Sequence, residues 1–194
     1  MRTSSEHDDY EPKAHIVSLN QKANRHLARN ELDEALAAYR SCRELLENLN
    51  DKHGQAMVLN NMGLIHVQTK HLEEAMDCFA SSYELSWQIG DVEGQADQLG
   101  NMGSVLRDAG QYDKALDYYV RALSIFEKFG NTLKIANQFT NIGYIYVMNC
   151  KPRTALDWYR KALTLYEAEG EKAREAGCHK NIDLLVNQIG REGS

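Results

Sequence analysis

The sequence predicts an all-α fold, with about nine helices paired antiparallel and stacked into a right-handed superhelical solenoid. Three observations carry this reading. The stretch 99–122, LGNMGSVLRDAGQYDKALDYYVRA, reads as helix, tight turn and helix. The same pattern stands forty residues upstream as LNNMGLIHVQTKHLEEAMDCFASS and forty downstream as FTNIGYIYVMNCKPRTALDWYRKA. A fixed period of this size marks a stack of like units, each packing on its neighbours. The columns of the repeat are strict. Gly63, Gly103 and Gly143 recur with Ala23 in register, as do Ala35, Ala75, Ala115 and Ala155. Tyr39, Phe79, Tyr119 and Tyr159 form an aromatic column, Asn61, Asn101, Asn141 and Asn181 an amide column, and Ala56, Ala96, Ala136 and Ala176 mark the starts. The chain holds only two prolines, which favours helix over turn-rich β structure.

Taken in order, residues 1–12 are polar and acidic and read as a disordered lead-in. The array occupies 13–189, with units at about 13–50, 51–90, 91–130 and 131–170, a capping helix at 171–189 and a frayed tail at 190–194. Pro12 suits a first helical turn, where a missing N–H costs nothing. Ile16, Leu19, Ala23 and Leu27 then follow at helical spacing. Asn30 closes that helix or caps the next, which buries Leu32, Ala35, Leu36, Tyr39, Leu45, Leu46 and Leu49. Asn48, Asn50, Asp51 and Gly54 form a turn cluster. Gly90-Asp91, Gly130-Asn131 and Gly170-Glu171 punctuate the later units, glycine being the usual left-handed cap of a helix end. Lys70-His71, Gly110-Gln111 and Lys151-Pro152 are turns too short for anything but antiparallel neighbours. In the last helix Asp183 stands where the other units carry Gly or Ala, and Glu171, Lys172, Arg174 and Glu175 give it a charged face, as a terminal cap requires.

Composition narrows the function classes. A formal net charge of −6 argues against a general nucleic-acid binder, which needs a basic face. The start of the chain has no apolar core, so it is not a signal peptide, and no apolar run is long enough to span a bilayer. Cys42, Cys78, Cys150 and Cys178 show neither a C-x-x-C pair nor metal spacing, and read as reduced thiols of a cytoplasmic protein. No G-x-x-x-x-G-K-[ST], H-E-x-x-H or G-x-S-x-G occurs, so neither catalysis nor a cofactor is expected. His26 and His66 share a column, but they sit where the repeat wants a packed aromatic and lack the further ligands of a metal site. Asp77, Asp117 and Asp157 read as a solvated face.

The columns resemble the tetratricopeptide repeat, whose pattern is W-x2-L-G-x2-Y…A-x3-F…P. The matches are Leu59, Met62, Gly63, His66, Ala75, Phe79 and Ser82; then Leu99, Met102, Gly103, Leu106, Ala115, Tyr119 and Ala122; then Phe139, Ile142, Gly143, Tyr146, Ala155, Tyr159 and Ala162. A weaker first unit has Leu19, Lys22, Ala23, His26, Ala35, Tyr39 and Cys42. The period exceeds the family's thirty-four residues by about six, which adds roughly 9 Å of helix per unit. Glu47, Trp87, Glu127 and Glu167 continue the helix where the family places its closing proline. The longer form is similar to the repeats of Pins/LGN-type polarity adaptors and of kinesin light chains.

That resemblance implies protein or peptide binding in a concave groove lined by the first helix of each unit. Carried over, the groove columns are Val17, Asn20, Gln21, Asn24; Met57, Asn60, Asn61, Leu64; Asp97, Gly100, Asn101, Ser104, Arg107; Asn137, Thr140, Asn141, Tyr144; and Lys180, Asn181, Leu184. An amide offers one acceptor and two donors, so Asn61, Asn101 and Asn141, flanked by Asn24 and Asn181 and joined by Asn60 and Asn137, would read the backbone of an extended partner segment. Met57, Leu64, Arg107, Tyr144 and Leu184 would supply side-chain contacts. The competing reading has these asparagines capping or bridging helices inside the protein. The carboxylate clamp of chaperone-tail co-chaperones is incomplete here: Asn20 stands where a lysine belongs, and Asp97 and Asn101 where a basic pair belongs. Tyr118 and Trp158 lie one residue before the aromatic column and either face the convex side or are half-buried under the next unit. The expected function is thus a peptide-binding scaffold, monomeric or weakly homo-oligomeric. A self-assembling structural protein is the alternative, and a small-ligand or peptide sensor the third reading.

Overall fold

The computed structural model describes residues 10–192, which hold nine α-helices and no strand. The helices are α1 (Tyr10–Ala28), α2 (Leu32–Asn48), α3 (Lys52–Gln68), α4 (Leu72–Gln88), α5 (Val92–Asp108), α6 (Tyr112–Phe129), α7 (Thr132–Met148), α8 (Pro152–Glu169) and α9 (Lys172–Glu192). They fall into two compact units, 1–91 with α1 to α4 and 92–194 with α5 to α9. Both ends differ from expectation. Helix begins at Tyr10, so Pro12 is the third residue of α1, still within the first turn, where no intrahelical bond is lost. The remainder of the expected lead-in lies outside the described residues. At the other end α9 runs through Gly190 to Glu192, past the predicted stop at Ile189.

One turn is repeated throughout. Asn30, Asn50, Lys70, Gly90, Gly110, Gly130, Cys150 and Gly170 all have positive φ, between 51° and 74°. They stand at intervals of twenty residues, so the forty-residue period is two helix-and-turn halves. At each, the left-handed residue donates its N–H three residues back and the next residue donates five back. Gly90 to Trp87 and Asp91 to Ser86 (3.1 and 2.8 Å) are one example; Lys70 to Val67 and His71 to His66 (3.1 and 2.9 Å) are another. This closes the last carbonyls of the outgoing helix, and within each unit it reverses the chain. At two of the following helix starts an Asx side chain caps the new amides. Asp51 accepts from the Gly54 N–H at 2.9 Å and Asn131 from that of Lys134 at 3.2 Å.

Within each helix pair the small column meets the aromatic column. A Cβ on Gly63 would stand 2.6 Å from the Phe79 ring, and one on Gly103 would stand 2.8 Å from Tyr119. At Gly143 the ring of Tyr159 is 3.3 Å away. These rings are buried, as are Tyr39 and the alanines of the facing column, Ala35, Ala75, Ala115 and Ala155. In the first unit Ala23, Leu36, Cys42, Leu46, Val58, Met62 and Ile65 complete the core. In the second, Ala136, Leu156, Ala162, Tyr166, Cys178 and Leu185 tie α9 to α8 and α7. His66 takes an aromatic core position and is buried, its Nδ1 without a hydrogen-bond partner. Burial lowers its pKa, against the pull of Glu74, while His71 and Arg40 nearby add to the lowering.

Three outcomes follow from this packing. Gly63→Ala and Gly103→Ala should each cost about 1–3 kcal/mol in urea denaturation, while Gly143→Ala stays close to neutral because its ring already lies near contact distance. Lys70→Gly and Cys150→Gly should raise stability by about 1 kcal/mol, since both residues hold a left-handed conformation that a side chain disfavours; a loss in either would show that the turn is not strained. His66 is held neutral in the fold, so the unfolded chain takes up its proton first as pH falls below about 6.5 and stability drops with it. In His66→Leu that part of the acid slope should be missing from the pH dependence of the melting temperature.

Candidate functional site

In the first unit α1 and α3 bring the predicted amides to one hydroxyl. Tyr39 donates to Asn24 Oδ1 at 3.0 Å and accepts from Asn61 Nδ2 at 3.4 Å, and Asn60 Nδ2 donates to Asn61 Oδ1 at 3.4 Å. Asn61 therefore uses both ends of its amide inside the unit. Burial raises the Tyr39 pKa, so the hydroxyl stays protonated and remains a donor at neutral pH. Around this network three apolar side chains stand in solvent: Val17, Met57 and Leu64 are 55%, 57% and 48% exposed.

In the second unit the corresponding helices α5 and α7 border a half-open cavity of about 380 Å³. Asp97, Gly100, Asn101 and Ser104 line it from α5, and Lys134, Asn137, Gln138, Thr140 and Asn141 from α7, with Phe126 and Tyr166 behind. Tyr166 donates to Asn137 Oδ1 at 2.8 Å and lies 3.3 Å from the Thr140 hydroxyl. Tyr119 donates to Ser104, which donates in turn to the Gly100 carbonyl, each at 3.1 Å. Burial raises the pKa of Tyr119 and Tyr166 and pushes that of Tyr159 up to about 12, so all three stay neutral, and Tyr119 and Tyr166 act as donors. The Lys134 ammonium sits between Asp97 at 2.8 Å and Glu93 at 3.1 Å and holds the Glu93 carboxyl below its usual range. Arg107 is bound to Asp108 at 2.8 Å and lies 5.6 Å from the centre of the Tyr144 ring. Tyr144 and Leu184 are exposed, and Asn181 on α9 is half-buried.

Sequence reasoning missed Lys134 and Gln138. Gln138 is 6% exposed and its Oε1 has no partner. Its Nε2 lies 3.2 Å from where a Cβ on Gly100 would be, so only a glycine leaves this amide its full space. The signal was present: positions 20, 60, 100 and 140 carry Asn, Asn, Gly and Thr, and a glycine inside a helix marks a close approach. Tyr118 and Trp158 are both half-buried. Trp158 packs on Phe139 at 5.3 Å with the Lys161 ammonium 4.4 Å from its ring, and the Arg121 guanidinium lies 5.3 Å from the Tyr118 ring. His26 pairs with Glu31 at 2.6 Å, and among the described residues no three metal-ligating side chains converge.

Among solved structures, BtubC (BKLC) from P. vanneervenii aligns with a TM-score of 0.72 at 15% identity, over 96% of this chain and 85% of that one. The apo form of RapI gives 0.81 at 17% identity, over 91% of this chain and 64% of that one. A Rap protein complexed with competence and sporulation factor gives 0.77 at 14%, over 92% and 50%. At these identities the likeness is one of fold. A search of curated protein sequences finds no match. The tetratricopeptide repeat model matches residues 15–86 and 95–168, most of the length. With the repeat columns, the helix pairs and that match in agreement, the chain belongs to the tetratricopeptide repeat family.

Proposed function

We propose that the chain is a non-catalytic interaction scaffold that holds an extended segment of a partner protein against the first helices of its repeats. The observation that carries this reading is the exposure of Val17, Met57, Leu64, Tyr144 and Leu184 among amide side chains on those helices. A neighbouring fold gives support: one Rap structure was solved with competence and sporulation factor bound. The partner is a protein or peptide. Among the described residues no helix is long and apolar enough to cross a membrane, and the four cysteines are free, which suits a cytoplasmic setting.

Magnitudes divide the work between the two kinds of contact. A net hydrogen bond contributes roughly 0.5–1.5 kcal/mol, and a few of them reach only about the 4 kcal/mol of millimolar affinity. Burying a Leu or Met side chain adds about 1.5–3 kcal/mol. The apolar side chains therefore supply most of the affinity and the amides fix the register of the bound backbone. The asparagines do not contribute equally. Asn61 is engaged within the protein, whereas the Asn141 side chain lines the cavity without a hydrogen-bonded partner.

The test begins with capture of a partner and mapping of its bound segment as a peptide. Leu64→Ala combined with Tyr144→Ala should leave the circular dichroism spectrum unchanged and weaken that peptide at least about tenfold in fluorescence titration. Asn141→Ala should weaken it without lowering the melting temperature, whereas Asn61→Ala should lower the melting temperature as well. Undiminished binding by the double variant would move the partner to another face.

A further inference from the structure

We propose that the cavity between α5 and α7 is a subsite for a guanidinium group, so that one arginine side chain of the bound segment anchors there. This rests on the scaffold reading for its biological setting, but the geometry stands independently. Gln138 is buried at 6% exposure, lines the cavity and leaves its Oε1 without any donor. An acceptor left so in a buried site is destabilising until a donor reaches it. Asn141, on the next turn of α7, lines the same cavity with its amide also unengaged. Gly100 keeps the opposite wall clear on α5, although glycine within a helix is disfavoured relative to alanine. Gln138 Oε1 thus lacks an N–H donor, and the Asn141 amide beside it offers a second oxygen to receive one.

Charge decides what carries that donor. The lone ammonium at the rim, Lys134, is shared by Asp97 and Glu93, so the three groups together bear a net charge of −1. A carboxylate or phosphate would meet repulsion without a vacant cation to hold it. A neutral amide would satisfy Gln138 and gain nothing from the carboxylates. A cation gains both. The acceptors are spread over two facing helices, and the planar guanidinium presents five donors in a fork, whereas an ammonium is a compact, strongly hydrated point. Guanidinium is also the less costly of the two to remove from water.

The experiment titrates N-acetyl-L-argininamide into the isotopically labelled full chain and follows the side-chain amide resonances of Gln138 and Asn141. The corresponding lysine, glutamine and glutamate derivatives serve as comparisons. Saturable shifts of both amides by the arginine derivative are expected, with lysine and glutamine at least about threefold weaker and glutamate without effect. Gln138→Leu and Asp97→Asn should each weaken arginine at least about fivefold. Gln138→Leu should melt no lower than the parent, because it removes an orphaned acceptor; should it fail to fold, Asn141→Ala carries the same test. Absence of saturable shifts at these amides overturns the proposal, as does equal binding by any comparison compound or by the Gln138 variant. A mapped partner that still needs Leu64 and Tyr144 would leave the scaffold reading standing in that event. Conversely, an arginine site with a partner indifferent to those residues would remove the scaffold reading alone.

Discussion

The left-handed residue every twenty positions is the constraint on which the rest depends. It ends each helix after seventeen to nineteen residues, apart from the longer α9, and within each unit sends the chain back antiparallel. Because the interval is constant, residues forty apart stand at the same place in successive helix pairs. Only then can a column of glycines meet a column of aromatic rings. Glycine serves the turn at four of the eight positions and asparagine at two, in keeping with the low cost of positive φ for those residues. Lys70 and Cys150 hold the same conformation without that advantage, so the geometry is imposed by the hydrogen bonds on either side as much as by the residue itself.

The aromatic column links that packing to the candidate site. Gly63 and Gly103 let the rings of Phe79 and Tyr119 approach closer than any side chain would allow. At Tyr39 and Tyr119 the ring hydroxyl reaches the polar groups of the first helices. Tyr39 meets Asn24 and Asn61 there, and Tyr119 meets Ser104. One side chain thus fills the core and orients a surface amide. Desolvation raises the pKa of these phenols, which keeps the hydrogen on the oxygen and the direction of each bond fixed.

Most of the architecture was legible in the sequence because a repeat states its own boundaries. The glycine, alanine and aromatic columns located every helix pair, and the Gly90, Gly130 and Gly170 turns fell where predicted. The site was less legible, for a physical reason. An amide column records that the position is polar, not whether its partner is a tyrosine one helix away or a ligand. Asn61 and Asn141 occupy the same column. The first is engaged by Tyr39 and Asn60, while the second faces a cavity. That difference comes from Gly100 and Gln138, which lie in other columns, and from Lys134, whose ion pairs join residues about forty positions apart. Asymmetry between repeats is invisible to reasoning that looks for their sameness.

The two units therefore offer different chemistry on a common frame. On α1 and α3 the Asn61 amide is engaged at both ends, while Val17, Met57 and Leu64 protrude into solvent. On α5 and α7 polar groups line the cavity, and Gln138 Oε1 among them has no donor. Lys134 and Arg107 are each held by carboxylates, which leaves that surface without the cations that would favour an acidic ligand.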